Sequence, residues 1–494
     1  MSELTQKKLG KLVGLKKEDF NNLIKSKNIT LQKPRLIPIY KLGDEMALTS
    51  VFLTTLRLVK EFKNKVFSEA KMQIGGTVYV YSEVVFNEFP NDRVDGLILI
   101  VKSGTIRDAA ILEVKNGKSD LEKDQLERYQ KIAKKHSIPK FITISNQFVS
   151  DSSQSPVSIK NLSGIESRHF SWTYLLTIGH VLLSDQGTSV EDEDQVEILR
   201  ETLRYLEWDK SGVLGLNQMK AGWVSVVDKI NVDAKLKTND TDVHETALSW
   251  QQEERDMALL LSRKLGALVQ TGSTRFKGKL DERFNADCKQ LVSNHRLTST
   301  LRIKGAASDI TVNANFKNRT VEFSVTLKAP EDKTLKGQIG WIKRQLETCI
   351  KRDADLLSKL RKEIILEIVI KKSPTTVRII SIDDIDSTIE TLKGKDIKEF
   401  NILYLKDFGK RFSSPRKIVV IMEDMLLDYY VGIVQRLSKW EPSAPKVKSI
   451  TESVIDNEEF IDQVNEQVAP VDIETGPRVD EDTITIIADE TTPV

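Results

Sequence analysis

Asp95, Glu113 and Lys115 are the residues whose types and spacing suit chemistry. Glu113 and Lys115 flank Val114 at the end of a stretch, roughly Ala109–Val114, that reads as a strand. A side-chain period of two puts both charged groups on one face and Val114 on the other. Asp95 opens the preceding strand, along which Leu97, Leu99 and Val101 alternate, and Ser103-Gly104 supplies the turn between the two. Paired as a hairpin, the strands bring two carboxylates and one ammonium to one point. Such a pair suits Mg²⁺, a hard cation usually held by one or two carboxylates, waters and a substrate phosphate. The ion lowers the pKa of a bound water and stabilises charge on a phosphoryl oxygen. Lys115 would orient or deprotonate the attacking water, or neutralise the developing charge.

These residues need elements to position them. Asn116-Gly117 breaks the second strand, and Ser119-Asp120-Leu121-Glu122 has the form of a capping box, which predicts a helix from there. Leu121, Gln125, Tyr129 and Ile132 share one side of that helix. Upstream, residues 43–70 are predicted as one long amphipathic helix, with Glu45, Leu48, Phe52, Leu56 and Val59 on one face. TVYVYSEVVF, after Gly75-Gly76, is a strand on which Glu83 either lines the same site or faces solvent, the latter being favoured. Pro139 introduces KFITISN, a further strand of the same sheet.

Taken together, Asp95, a hairpin, Glu113-Val114-Lys115 on a strand and Gln125…Tyr129 on a helix resemble the PD-(D/E)xK nuclease superfamily, in its RecB-type branch with the QxxxY helix motif. The resemblance covers only part of the chain, and Val94 stands where the family often has a proline before its first acid. It implies a restriction-endonuclease-like core, a mixed sheet flanked by helices. It implies that Asp95 and Glu113 hold metal, that Lys115 is catalytic, and that Gln125 and Tyr129 help place the lysine and the DNA strand. In the family a helix before the sheet often adds an acid to the metal site. Glu45 is the candidate here, unless it is only a first-turn acid favoured by the helix dipole. The implied cofactor is Mg²⁺, with Mn²⁺ as a substitute. The implied substrate is DNA, with RNA left open, in a setting of prokaryotic defence or repair.

Composition sets the frame. The 494 residues allow two to four domains, and 39% hydrophobic with 30% charged residues is ordinary for a globular protein. Cys288 and Cys349 are the two cysteines, which excludes a disulfide framework, a CxxC zinc pair and a four-cysteine iron–sulfur cluster. The start, MSELTQKKLGKL, lacks the apolar run of a signal peptide. Trp172–Leu183 is too short to cross a membrane and contains His180. No membrane contact and a cytoplasmic location are therefore expected. Of the net charge of +2, residues 441–494 carry 14 acids against 3 bases, or −11, which leaves +13 on residues 1–440. A basic body with an acidic tail fits a nucleic-acid binder, or simply a soluble chain.

The expected organisation is α/β. Residues 1–40 form a basic segment of one or two short helices, and 41–185 the nuclease-like domain. Residues 186–272 form a helical linker or bundle (Glu191–Leu206, Leu216–Ile230, His244–Val269). Residues 273–440 form an α+β domain, and 441–494 an acidic disordered tail. In the α+β domain, strands are expected at Leu301–Ile303, Asp309–Phe316, Thr320–Lys328, Glu363–Lys371, Val377–Ile382, Phe400–Leu405 and Lys417–Glu423, with a helix at Lys336–Leu360. Asp309, Lys328 and Gln338 echo the spacing of Asp95, Lys115 and Gln125, so either a decayed second core or coincidence stands there. Without a GxxxxGK[ST] loop the chain has no motor of its own. An enzyme would then need a duplex end, a flap, a partner motor or a second copy. The alternative class is a non-catalytic protein that holds nucleic acid or a partner on a nuclease-like core.

Overall fold

The computed structural model describes residues 11–441 apart from 38–40, 42, 118, 150, 185–189, 273–275, 277–278, 353–362, 374–375 and 380–383. The described residues up to Trp440 form one compact unit. The acidic tail therefore lies outside the described residues, apart from Glu441. Among the described residues there are twelve α-helices and thirteen strands, so the chain is α/β with a mixed sheet.

The alternation of apolar residues builds the first sheet. Its strands are β1 (Ile29–Gln32), β2 (Thr77–Phe86), β3 (Arg93–Lys102), β4 (Thr105–Val114), β5 (Lys140–Ser145) and β6 (Glu166–Ser171), side by side in chain order. β1 to β4 pair antiparallel, and β4, β5 and β6 run parallel. Parallel neighbours need a crossover, and helix α4 (Lys123–Lys135) supplies the one between β4 and β5. Both faces are covered. Ile98, Ile100, Ala110, Leu112 and Val114 pack beneath α2 (Glu45–Leu58), α3 (Lys60–Glu69), α5 (Trp172–Leu182) and α6 (Glu193–Glu207). Leu97, Leu99 and Ile111 pack beneath α1 (Lys17–Lys25) and α4.

A second sheet holds β7 (Gln270–Thr271), β8 (Arg296–Arg302), β9 (Ile310–Asn315), β10 (Thr320–Lys328), β11 (Ile364–Ile370), β12 (Thr376–Ile379) and β13 (Ile397–Asp407). Its order is β12-β11-β13-β10-β9-β8-β7, antiparallel throughout. Along β10 buried and partly exposed residues alternate, as expected for a sheet with one covered face. The core on that face includes side chains of α7 (Ala221–Asn231), α8 (Thr241–Leu265), α9 (Leu280–Asn294), α10 (Leu335–Arg352) and α12 (Pro415–Gly432). The short α11 (Thr388–Leu392) adds Leu392.

Several expectations are corrected. The helix over 43–70 is two, because Val59 is extended (φ −106°, ψ 105°). The Lys60 N–H freed by the break donates to Gln195 Oε1 at 2.7 Å. The capping box does not open α4, which starts at Lys123 with Glu122 as N-cap and no side-chain cap bond. Lys417–Glu423 is helix, not strand. Its β-branched run sits behind Pro415 in the first turn, and Ile418, Val419, Met422, Met425, Leu426 and Tyr429 are buried at helical spacing. The strands β1 and β6 and the helix α9 were not expected. The Asp309–Gln338 echo is not a second core. β5 follows α4 and lies parallel beside β4, but β11 follows α10 and is separated from β10 by the antiparallel β13.

Candidate active site

The register of β3 and β4 pairs Gly96 with Leu112. One residue out, Asp95 lies opposite Glu113. The Val114 N–H donates to Asp95 Oδ2 at 2.7 Å, which pins the aspartate at the strand end. Glu113 is completely buried, and Lys115 Nζ lies 2.7 Å from its Oε1. At that distance the ammonium is a direct partner of the buried carboxyl. On its other side Lys115 Nζ lies 3.5 Å from Glu45 Oε2, at the start of α2. Solvent access rises outward, with side-chain exposures of 0% at Glu113, 14% at Lys115 and 33% at Glu45. Asp95, Glu113, Lys115 and Glu45, singled out from the sequence, are thus brought together from β3, β4, the residue after it, and α2.

Gln125 and Tyr129 also reach this end of the sheet. Gln125 Nε2 donates to Tyr129 Oη at 3.2 Å, and Tyr129 donates to the Arg93 carbonyl at 2.6 Å. The pair braces the start of β3, two residues before Asp95. Burial, and then the Glu113 carboxylate, push the Tyr129 phenol up to about 12, so it stays a donor.

The electrostatics follow from burial. Loss of solvation, and then the neighbouring Asp95, push Glu113 up to about 9 despite Lys115. Burial also raises Asp95, against the Val114 N–H that favours its charged form. Two buried carboxyls side by side do not both ionise readily without a further cation. Burial alone would lower Lys115, but Glu113, Glu45 and Asp95 outweigh it and hold the ammonium above its ordinary value.

Sequence reasoning favoured the wrong side for one contributor and missed two. Glu83, expected to face solvent, is buried and ion-paired to Arg93 Nε at 2.9 Å. It has φ 53°, a left-handed conformation unusual for glutamate. The β2–β3 pairing passes over Glu83 and Asp95, and Asp95 is among the groups that raise Glu83. Asn116 reads as a strand breaker, yet it is buried and donates to the carbonyls of Gly43 (2.7 Å) and Ser211 (2.6 Å). It ties the residue after Lys115 to the approach to Glu45. Asn146 joins the same loop, donating to Gly117 O (3.0 Å) and Gly212 O (2.7 Å). The clue in the sequence is an asparagine just beyond each of two strands, where a side-chain amide can bond loop backbone.

Among the described residues no group of three or more His, Cys, Asp and Glu side chains is arranged as a metal cage. Mg²⁺ does not require one. It keeps several waters and is satisfied by one or two carboxylates with substrate oxygens. Asp95 with Glu113, two buried carboxyls side by side at the strand ends, fits that donor set. Glu45 faces the same ammonium from the rim. Among the described residues no helix is long and apolar enough to cross a membrane. No protein-family model, curated protein or solved structure matches the chain.

Proposed function

We propose that the chain is a metal-dependent nuclease of the PD-(D/E)xK type, hydrolysing phosphodiester bonds, of DNA in the first instance. One observation carries the reading: Asp95, Glu113, Lys115 and Glu45, distant in sequence, converge at one end of a mixed sheet. Asp95 and Glu113 would hold Mg²⁺, or Mn²⁺ in its place, with Glu45 as an outer acid. When bound, the ion supplies a nucleophile at neutral pH and stabilises charge on the phosphoryl oxygens. Lys115 keeps its proton, which favours electrostatic stabilisation and orientation over base catalysis. Tyr129 and Gln125 hold β3, and with it Asp95, in register. DNA defence or repair, with a partner motor or a second copy providing access to the strand, is the setting proposed for such an activity.

One observation favours a second reading, a non-catalytic nucleic-acid-binding protein. Lys115 is engaged by Glu113 and Glu45 together, an arrangement in which the ammonium offsets part of the acid charge without a metal. Incubation of the purified chain with circular and linear DNA, with and without Mg²⁺, separates the two. Mg²⁺-dependent nicking or shortening supports the nuclease. DNA binding with no product under Mg²⁺ or Mn²⁺ supports the binder.

A further inference from the structure

A cleft of about 540 Å³ opens away from the carboxylate site, between the edge strand β6 of the first sheet and β7 and β8 of the second. Four cations border it, Lys65, Arg255, Arg283 and Arg302, against two acids, Glu69 and Asp151. Their partners decide which charges are available. Lys65 pairs with Glu69 at 3.6 Å. Arg283 is held by Glu254, with Asp287 at 3.8 Å. Asp151 accepts from the backbone N–H and hydroxyl of Ser153. Among the described residues neither Arg255 nor Arg302 has a carboxylate within ion-pair distance. Arg255 lies over the Tyr174 ring, 4.9 Å from its centre. Arg302 makes two long contacts through Nη2, at 3.4 Å to Gln270 Oε1 and to the Thr271 carbonyl, and its buried Nη1 has no acceptor.

A buried guanidinium nitrogen without an acceptor is unfavourable. A guanidinium that borders a polar cleft offers a planar fork of donors that matches a tetrahedral oxyanion. We propose that this cleft binds a phosphate group, with Arg302 and Arg255 as its charged contacts. The phosphate would come either from a free phosphate or nucleotide or from a nucleic-acid strand. The inference does not depend on hydrolysis at Asp95 and Glu113.

The test is calorimetric titration of the full chain in a chelator, so that no cleavage is read, at fixed ionic strength set by chloride. The probes are inorganic phosphate, a deoxynucleoside monophosphate and a short single-stranded oligonucleotide. At least one probe is expected to bind. Arg302→Gln and Arg255→Gln should each weaken it tenfold or more, and Arg302→Lys should recover part of the loss. Ser152→Glu keeps both arginines but adds a like charge to the cleft lining, and should also abolish binding. Binding of phosphate or the mononucleotide marks a small-molecule site. Binding of the oligonucleotide alone, lost in the same variants, marks a strand contact. Absence of binding by all three probes overturns the proposal, as does unchanged affinity in Arg302→Gln, Arg255→Gln and Ser152→Glu.

Discussion

Replacing Glu113 by glutamine should make the protein more stable at neutral pH while removing its activity. The wild-type carboxyl is fully buried and pushed up to about 9, from an ordinary 4.5. Below about pH 4.5 it is protonated in both folded and unfolded chains and has no pH-linked effect. Above that value the unfolded chain releases the proton and the folded chain retains it. Stability is therefore lost steadily as pH rises toward 9. At pH 7 the interval is roughly 2.5 pH units, or about 3 kcal/mol at about 1.4 kcal/mol per unit. Glutamine removes that loss, but it puts an amide in place of the neutral carboxyl beside the Lys115 ammonium, and imperfect pairing there offsets about 1–2 kcal/mol. The net expectation is a gain of about 1–2 kcal/mol at pH 7, larger at pH 8, and a loss of about 1–2 kcal/mol below pH 4.5, where only the cost of the amide remains. Urea unfolding of both proteins across this pH range measures it. A variant less stable than wild type at pH 7, or a difference that does not change with pH, would refute the burial argument.

Lys115→Ala should abolish cleavage yet leave Mn²⁺ binding, read by titration, largely intact, because a charged lysine donates no lone pair. Tyr129→Phe should cost only a few-fold in rate, since it removes one hydroxyl bond to the Arg93 carbonyl. Gly43→Ala should destabilise the fold by about 1 kcal/mol or more and lower activity with it. Gly43 has φ 82°, a Cβ there would collide with the Lys210 carbonyl oxygen, and its carbonyl is the anchor for Asn116. Far from the site, Glu253 is fully buried, with both oxygens lacking hydrogen-bond partners, and is raised by burial and then by Asp256 and Glu423. A raised folded-state value means stability lost as pH climbs, so Glu253→Gln should be indistinguishable from wild type near pH 4 and increasingly more stable toward pH 8 in denaturant titrations.

The placement of Asp95, Glu113 and Lys115 was legible because it rests on local rules. Period-two alternation and a Ser-Gly turn fix which side chains share a face, and the helical spacing of Gln125 and Tyr129 fixes their bond. Features decided by distant partners were not legible. The break at Val59 depends on Gln195, whose side chain receives the freed Lys60 N–H. Glu83 looks like a solvent-facing strand residue until the backbone turns left-handed there and Arg93 covers it. Asn116 ends a strand as its type suggests, but its role as a tie comes from Gly43 and Ser211, in segments well away in sequence. The run from Lys417 misled because β-branched residues favour strands locally. Packing of Ile418, Met422 and Tyr429 in the second core selects the helix instead. The second sheet places β13 between β10 and β11, an order that no local pattern announces.

The central claim is that Asp95 and Glu113 hold a metal that hydrolyses a phosphodiester bond beside Lys115. Its most direct test is the Mg²⁺-dependent cleavage rate of Glu113→Gln against wild type, at equal folded concentration on the same linear and circular DNA. The predicted result is cleavage by wild type that requires the metal, and none by the variant, even though the variant is the more stable protein at pH 7. Cleavage by Glu113→Gln at the wild-type rate would contradict the claim and move any activity elsewhere in the chain.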